Sequence, residues 1–385
     1  MRLNHGLHLA YCTNIHRGED WAQTFESLKT HTLAVRDRVV DGGGEFAIGL
    51  RLSELAAREL SEPDTLEAFQ QWLADERCYV FTINGFPFGN FHGTRVKEQV
   101  YVPDWTDPAR LEYTNRLFDL VAALAPDGIE GSVSTLPGSF KEFITDENQE
   151  RAIRENIWRC VEHIAELSER TGKVLHLGLE PEPLGYFETS AETIAFFEQL
   201  RAEHPNDPRL DAHLGVNYDT CHLAVEYEEA AEALGALQAA GIRISKLHLS
   251  AALKVTPDAA TRAALKPFEE DVYLHQVIAR QPDGTLARHR DLDVALAAED
   301  AADEWRIHFH IPLHCPDGEW FASTRDHING VLDTLQADPA RCTHLEMETY
   351  TWEVLPAEMK QGDVVDQLAG EYDWTLAALR ARQLA

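Results

Sequence analysis

The sequence lacks the long apolar runs that a membrane-spanning helix requires. No window approaches the roughly 18 apolar residues of such a helix. The stretch Met1–Gly6 also lacks the apolar segment that forms the core of a signal peptide. We therefore expect neither membrane insertion nor secretion.

Basic residues are scarce. The chain has 34 Lys and Arg residues against 65 Asp and Glu residues, a formal net charge of -31. This charge repels the phosphate backbone of nucleic acids and the surface of an anionic membrane. The composition thus argues against nucleic acid as a partner, but it favours no particular substrate.

The sequence has no compact cysteine framework. Its six cysteines are scattered, and no two of them form a CxxC pair. This distribution suits reduced thiols and predicts a cytoplasmic protein. There is also no GxGxxG after the first predicted strand and no GxxxxGK[ST], so the usual nucleotide-binding reasons for a doubly wound sheet are missing.

Strand-like apolar runs alternate with amphipathic helical runs along the whole chain. One of these helices, Glu147 to Thr171, is followed by Gly172, a residue type common just after a helix. Over 385 residues with 44% apolar content, this alternation predicts a (β/α)8 TIM barrel, with residues 1–385 forming a single domain.

Residues 251–305 interrupt the alternation. The stretches 272–278 and 285–290 flank Pro282-Asp283-Gly284, which is typical of a β-hairpin and predicts an insertion over the barrel mouth. There are nine candidate strands for eight barrel places, and we expect the run 307–312 either to lie outside the cycle or to displace another strand. The segment 84–105 is too long and too aromatic for a simple connection, and it predicts a lid or a wall.

The run Lys173–Pro183 has the pattern of a buried parallel strand. Its apolar residues end abruptly at two prolines, which stop the strand. The run therefore places Glu180 at the carboxyl end of the strand, where barrels bind their ligands. Glu182 could serve instead, but it follows a proline and is expected in the loop.

Three further strand ends carry metal-binding side chains. They are Asp219, His248 and one glutamate of the pair Glu346 and Glu348, of which we prefer Glu348 because it lies nearer the strand's carboxyl end. Carboxylates brought together at low dielectric repel one another, and a divalent ion compensates them. We predict that Glu180, Asp219, His248 and Glu348 bind Mn²⁺, Zn²⁺, Co²⁺ or Mg²⁺.

Other polar residues at the predicted rim are candidates for binding substrate: His16, Arg51, Asn84, His222, His310 and Glu346. For His16, Arg51 and Asn84, hydrogen bonds that fix loops are an equal alternative. His222 could instead cap the next helix. His308 and His310 share one face of their strand, and they could either line a pocket or be core histidines bonded to backbone carbonyls.

Short motifs in a specific order span nearly the whole chain. Glu180, Asp219-x-x-His222, Lys246-x-His248 and a terminal glutamate follow the order found in xylose isomerase-like TIM barrels. Further motifs are Tyr11–His16, Asn84–Pro87, Leu179–Pro183, Lys246–Ser250, Tyr273–Val277, His308–Pro312 and Glu346–Trp352. Together they resemble the EboE family of metabolite traffic proteins.

The resemblance implies a metal-centred pocket and a role in bacterial secondary-metabolite clusters, where the family is linked to moving precursors to the periplasm. Partners would be encoded in the same gene cluster. In the broader superfamily the metal holds vicinal substrate oxygens, and paired glutamates move a proton next to a carbonyl. This implies that Glu180 and Glu348 are acid/base residues as well as ligands.

We thus predict a metal-dependent isomerase or epimerase that acts on a small hydroxylated or keto metabolite. The alternative is a metabolite-binding or carrier protein that retains the metal pocket without turnover. A third hypothesis is metal-dependent hydrolysis of phosphodiesters. The acidic composition of the chain disfavours it, and too few histidines lie at the strand ends that would hold a three-metal cluster. The sequence predicts neither the substrate nor the oligomeric state.

Overall fold

The computed structural model describes residues 1–40, 43–89, 92–93, 95–299, 301–356, 359–360 and 362–385. The strands are β1 His8–Tyr11, β2 Phe46–Arg51, β3 Cys78–Asn84, β4 Gly131–Thr135, β5 Leu175–Leu179, β6 Leu214–Asp219, β7 Arg243–Leu249, β8 Ala251–Val255, β9 Val277–Arg280, β10 Leu286–His289, β11 Glu304–Ile311, β12 Ala322–Ser323 and β13 His344–Met347. The α-helices are α1 Trp21–Ser27, α2 Leu33–Val39, α3 Glu54–Leu60, α4 Pro63–Asp75, α5 Pro108–Leu124, α6 Glu147–Thr171, α7 Ser190–Glu203, α8 Pro208–His213, α9 Thr220–Val225, α10 Ala230–Ala239, α11 Ala259–Leu265, α12 Leu292–Ala297, α13 Arg325–Ala337 and α14 Val364–Arg380.

Eight parallel strands form a barrel. Their order is β1, β13, β7, β6, β5, β4, β3, β2, and a parallel bridge between Cys12 and Gly49 joins the two edges of the sheet. Every residue of β5 and β6 is buried, as expected of parallel strands that helices cover on the outside. The predicted (β/α)8 barrel is confirmed.

Helix α6 shows how local sequence fixes the elements around β5. Asp146 and Gln149 form a reciprocal capping box at its first turn, and Gly172 ends it with a φ of 70°, a conformation that glycine adopts without strain. Both ends therefore agree with the boundaries predicted from the sequence. The helix packs its apolar face on the barrel and leads directly into the strand that precedes Glu180.

The remaining five strands form a second, antiparallel sheet in the order β10, β9, β11, β8, β12. It starts immediately after the barrel strand β7, with only Ser250 between β7 and β8. Strands β9 and β10 form the predicted hairpin, although β9 begins at Val277 rather than at residue 272. The run 307–312 falls on β11 in this sheet, so the expectation that it lies outside the barrel is confirmed.

The second sheet lies over the carboxyl end of the barrel. Tyr273, Gln276 and His308 from this part of the chain line the same cavity as Glu180. Residue 300 of the predicted insertion lies outside the described residues. We call this sheet, with its connecting loops, the cap sheet; that the chain forms a single domain remains a prediction.

The segment 84–105 also borders this cavity. Phe86, Lys97 and Tyr101 contribute to its lining, which is consistent with the predicted wall. Residues 90, 91 and 94 of this segment lie outside the described residues. Among the described helices, none is both long and apolar enough to cross a membrane.

Candidate metal centre and cavity

Four predicted ligands meet at the carboxyl ends of β5, β6, β7 and β13. Glu180, Asp219, His248 and Glu348 each offer one ligand atom, and these atoms lie within 4.8 Å of one another. His248 is central, because its Nδ1 lies 3.0 Å from Glu180 Oε1, 3.4 Å from Glu348 Oε2 and 3.6 Å from Asp219 Oδ2. The structure thus brings together residues that are up to 168 positions apart in the chain.

The two oxygens of Asp219 have different environments. Oδ1 caps helix α9 by accepting from the backbone N–H groups of Cys221 and His222, at 2.7 and 3.0 Å, and from Ser250 Oγ at 2.6 Å. Oδ2 is buried and has no hydrogen-bond partner. Burial opposes ionisation, but the surrounding imidazoles, His222 foremost, hold the pKa of Asp219 well below its usual value. A charged oxygen without a partner is therefore directed at the centre of the cluster.

Glu348 is held in place by two asparagines. Its Oε1 accepts from Asn14 Nδ2 at 2.8 Å and from Asn84 Nδ2 at 3.1 Å, while Oε2 faces His248. The amides fix the carboxylate without neutralising its charge. This geometry agrees with the preference for Glu348 over Glu346 as the glutamate of the cluster; its role as a ligand is a proposal.

Glu346 lies deeper, inside the barrel. Its Oε2 is 2.5 Å from Lys246 Nζ and 2.7 Å from His248 Nε2. Burial disfavours its charge, but Lys246 outweighs that effect and lowers the pKa of Glu346 to about 2. Gly49 makes room for this carboxylate, since a Cβ there would lie 2.0 Å from Glu346 Oε1. Glu346 thus lies behind His248 rather than on the cavity wall. This position does not favour the predicted role of Glu346 in binding substrate.

The ring of His248 is oriented by this arrangement. An Nε2–H that donates to Glu346 leaves a lone pair on Nδ1, the nitrogen that faces the carboxylates and Asn217 Nδ2 at 3.1 Å. Histidines that bind metals donate their second N–H to a carboxylate or carbonyl in this way. Burial opposes a second proton, but the carboxylates, Glu348 foremost, raise the pKa of His248 well above its usual value. The carboxylates therefore attract positive charge to Nδ1, which can be a second proton or, in its place, a metal ion.

A cavity opens above the cluster. Its lining includes the carboxylates of Glu180, Glu182 and Glu348. Phe86, Tyr101, Tyr273 and Tyr350 contribute aromatic surface to it. This combination of apolar walls and a few converging polar groups is typical of small-molecule sites.

Glu182 lies in the loop after β5, as its position after a proline predicts, and it lines this cavity. It is buried, and its Oε1 has no hydrogen-bond partner. Burial and repulsion from Glu180 raise the pKa of Glu182 well above its usual value. The Glu-Pro-Glu-Pro spacing was the one available signal, but it does not fix the turn of the loop that brings Glu182 to the cavity.

Histidines surround the cluster on the side of the cap sheet. His222 lines the cavity, and its Nδ1 lies 3.1 Å from the carbonyl oxygen of Pro181. His310 is fully buried beside the cluster, with its Nδ1 3.0 Å from the carbonyl oxygen of Glu348. His308, on the same strand face as His310, lines the cavity directly.

The other rim residues make contacts within the protein. Arg51 donates to the carbonyl oxygens of Gly18, Pro87 and Gly89. These contacts agree with the alternative prediction that Arg51 fixes the loops at the rim. His16 bonds to the hydroxyl of Tyr11 at 3.0 Å and is not part of the cavity lining. The positions of Arg51 and His16 therefore favour a role in stabilising the loops of the rim rather than in binding substrate.

The chain matches no protein-family model and no curated protein sequence. Its fold matches solved structures over nearly the whole length. An L-ribulose 3-epimerase aligns over 99% of this chain and 96% of its own, with a TM-score of 0.53 and 13% identity. A D-tagatose 3-epimerase-like protein aligns over 97% of both chains, with a TM-score of 0.51 and 13% identity.

A third similar structure is a D-psicose 3-epimerase from Clostridium cellulolyticum H10, solved with D-tagatose. It aligns over 98% of this chain and 99% of its own, with a TM-score of 0.51 and 11% identity. These structures share the TIM-barrel fold of this chain. At such low identity the likeness defines the fold alone, so the function has to be argued from the residues of this chain.

Proposed function

We propose that the chain is a metal-dependent enzyme of the isomerase or epimerase type that acts on a small hydroxylated or keto metabolite. The observation that carries this proposal is the convergence of Glu180, Asp219, His248 and Glu348 beside a cavity at the barrel mouth. The similar solved structures, which include sugar epimerases, are consistent with it.

The residues present fit a divalent cation. Asp219 offers a buried oxygen without a hydrogen-bond partner. His248 presents Nδ1 to the carboxylates, while its Nε2–H donates to Glu346. Three oxygen donors and one nitrogen suit Mn²⁺, Zn²⁺, Co²⁺ or Mg²⁺. When bound, the ion would polarise adjacent oxygens of a substrate.

The side chains themselves would bind, orient and exchange protons. Glu180 and Glu348 approach from β5 and β13, so each can accept or return a proton at a carbon held between them. The two asparagines that hold Glu348 Oε1 leave Oε2 free to act. Glu182, with an unpartnered Oε1 at the cavity, is placed to contact a substrate hydroxyl. The aromatic walls would exclude water from this chemistry.

Solvent exchange tests the reaction type. The Mn²⁺-loaded chain is incubated in D₂O with D-tagatose and a panel of other ketoses, and deuterium next to the carbonyl is measured by NMR. We expect incorporation with the wild type and its loss in Glu180→Gln. The control Glu166→Gln lies on the exposed side of α6 and keeps full exchange. Equal exchange in Glu180→Gln would exclude Glu180 as a proton-transfer group.

Elemental analysis tests the metal. We expect Glu180→Gln and His248→Ala each to carry one divalent ion per chain fewer than the purified wild type. Variants that carry as much metal as the wild type would contradict the proposed ligand set.

The resemblance to EboE proteins motivates a second candidate, a carrier that binds a metabolite without turnover, with partners from the same gene cluster. The aromatic walls of the cavity would favour retention of a ligand. Tight binding of a metabolite without exchange in D₂O would support this alternative. Since all six cysteines are buried and unpaired, we include a cytoplasmic location in the proposal.

A further inference from the structure

Two histidines of the cap sheet present their Nε2 atoms to each other. His308 and His310 are two residues apart on β11, so their side chains leave the same face of the strand. Both are buried, and the two Nε2 atoms are 3.3 Å apart. This pair lies next to the candidate metal centre, yet neither residue belongs to it.

The hydrogen bonds of both rings are made at Nδ1. His310 Nδ1 lies 3.0 Å from the backbone carbonyl oxygen of Glu348, and His308 Nδ1 lies 2.7 Å from Gln276 Oε1. The amide of Gln276 is oriented by its own donation from Nε2 to the carbonyl oxygen of Pro183, at 3.1 Å. Since carbonyl oxygens only accept, each Nδ1 carries the proton.

The neutral rings therefore direct two lone pairs at each other. Two acceptors form no hydrogen bond with each other, so the contact requires either an extra proton on one ring or a cation beside both. Burial lowers the pKa of both histidines and disfavours the extra proton. A tetrahedral Zn²⁺ with Zn–N bonds of about 2.0–2.1 Å holds its nitrogens roughly 3.3–3.4 Å apart. The separation of the two Nε2 atoms matches that spacing.

Further donors surround the pair. His222 contacts the carbonyl oxygen of Pro181 through Nδ1, which leaves its Nε2 unprotonated as well. Its ring centroid lies 4.6 Å from that of His308 and 5.6 Å from that of His310. One ligand atom from each of Asp219, His222 and His310 lies within 4.8 Å of the other two.

We propose that His222, His308 and His310 form a second divalent-cation site, with Asp219 as its nearest carboxylate. All three imidazoles donate Nδ1–H to an oxygen, the arrangement that orients metal-binding histidines. A nitrogen-rich set selects Zn²⁺ or Co²⁺ over Mg²⁺. The inference goes beyond the proposed function, because it requires no turnover and places a ligand on the cap sheet.

Titration of the metal-free chain with Co²⁺, read by absorption and by elemental analysis, tests the site. We expect two ions per wild-type chain and one per chain of His308→Asn or His310→Asn. Asparagine retains a donor near the position of Nδ1 but removes Nε2. Melting curves of both variants show whether they remain folded. A single ion per wild-type chain, unchanged in both variants, would overturn the inference.

Two controls separate this site from its surroundings. His327→Asn changes a buried histidine that bonds to Tyr218, and it keeps both ions. Cys221→Ser changes a thiol within reach of His308 and His310, and it also keeps both; loss of an ion there would overturn the ligand set.

His248→Asn separates the two proposed sites. We expect it to retain the ion of the cap sheet while losing the other. If the wild type binds one ion that only the His310 variant loses, the second site stands and the metal centre of the proposed function fails. If only His248→Asn loses it, the reverse holds.

Discussion

Lys246 Nζ lies 2.5 Å from Glu346 Oε2, and both side chains are fully buried inside the barrel. The register of the sheet explains the contact, because Glu346 on β13 pairs with His248 on β7. Lys246 lies two residues before His248, so both side chains leave the same face of β7. The Glu346 carboxylate, whose charge Lys246 balances, therefore accepts from His248 Nε2 on the side away from the cavity.

Loss of Lys246 should strongly destabilise the fold. Lys246→Met leaves a buried carboxylate without its cation, and we expect the free energy of unfolding to fall by about 3–5 kcal/mol. The double variant Lys246→Met/Glu346→Gln should recover much of this loss. Urea denaturation measures both.

Lys254→Met provides the control for that pair. Its partner Asp326 is largely exposed, so the change should cost no more than about 1 kcal/mol. Similar losses in the Lys246 and Lys254 variants would contradict the importance of the buried pair.

The asparagines that hold Glu348 should tune metal affinity. Asn84→Ala removes the 3.1 Å donation to Glu348 Oε1 and frees the carboxylate to rotate. We expect the affinity for Co²⁺ to fall roughly tenfold, measured by competition with a chelating dye. Asn156→Ala, which changes a buried asparagine that bonds to the Trp105 carbonyl, should leave the affinity unchanged.

Glu371 should make stability depend on pH. It is fully buried on α14, and burial raises its pKa to about 8. Because the native state holds this proton more tightly than the unfolded chain does, its contribution is complete below the ordinary glutamate pKa and is lost as pH rises toward 8.

Glu371→Gln should remove this loss. Relative to the wild type, the variant should gain on the order of 3 kcal/mol between pH 5 and pH 8, as followed by denaturation at several pH values. Parallel curves for the two proteins would show that Glu371 does not titrate in this range.

Gly49 and Gly235 should respond to alanine in opposite directions. A Cβ at Gly49 would lie 2.0 Å from Glu346 Oε1 and 2.5 Å from the Tyr11 carbonyl oxygen, whereas the one at Gly235 meets open space on helix α10. We expect Gly49→Ala to cost about 3 kcal/mol or more and Gly235→Ala to gain about 0.5–1 kcal/mol. Thermal melts distinguish the two, and a tolerated Gly49→Ala would contradict the close packing there.

The barrel and the central cluster were predictable because their signals are local. In the run Lys173–Pro183, the apolar residues predict a buried strand and the prolines predict where it ends. The carboxyl ends of parallel strands then lie together at one rim of the barrel. Asp219 and His248 follow the same rule. Their convergence is therefore a consequence of topology rather than of any single contact.

The contacts that refine the site were not predictable in this way. Lys246 meets Glu346 across 100 positions of sequence, and the difference between Glu346 and Glu348 depends on strand register and on which asparagines face them. Glu182 faces the cavity because of how the loop after β5 turns. His308 is oriented by Gln276, whose own amide depends on a loop of the barrel.

Only Ser250 separates β7 from β8, and its hydroxyl bonds to Asp219. The cap sheet is consequently a poor candidate for modular exchange. Grafting residues 251–311 onto another barrel would transplant half of a binding pocket, and deleting them would remove its cover and open it to bulk water. Engineering of specificity should therefore vary side chains within the sheet and leave its junction with the barrel intact.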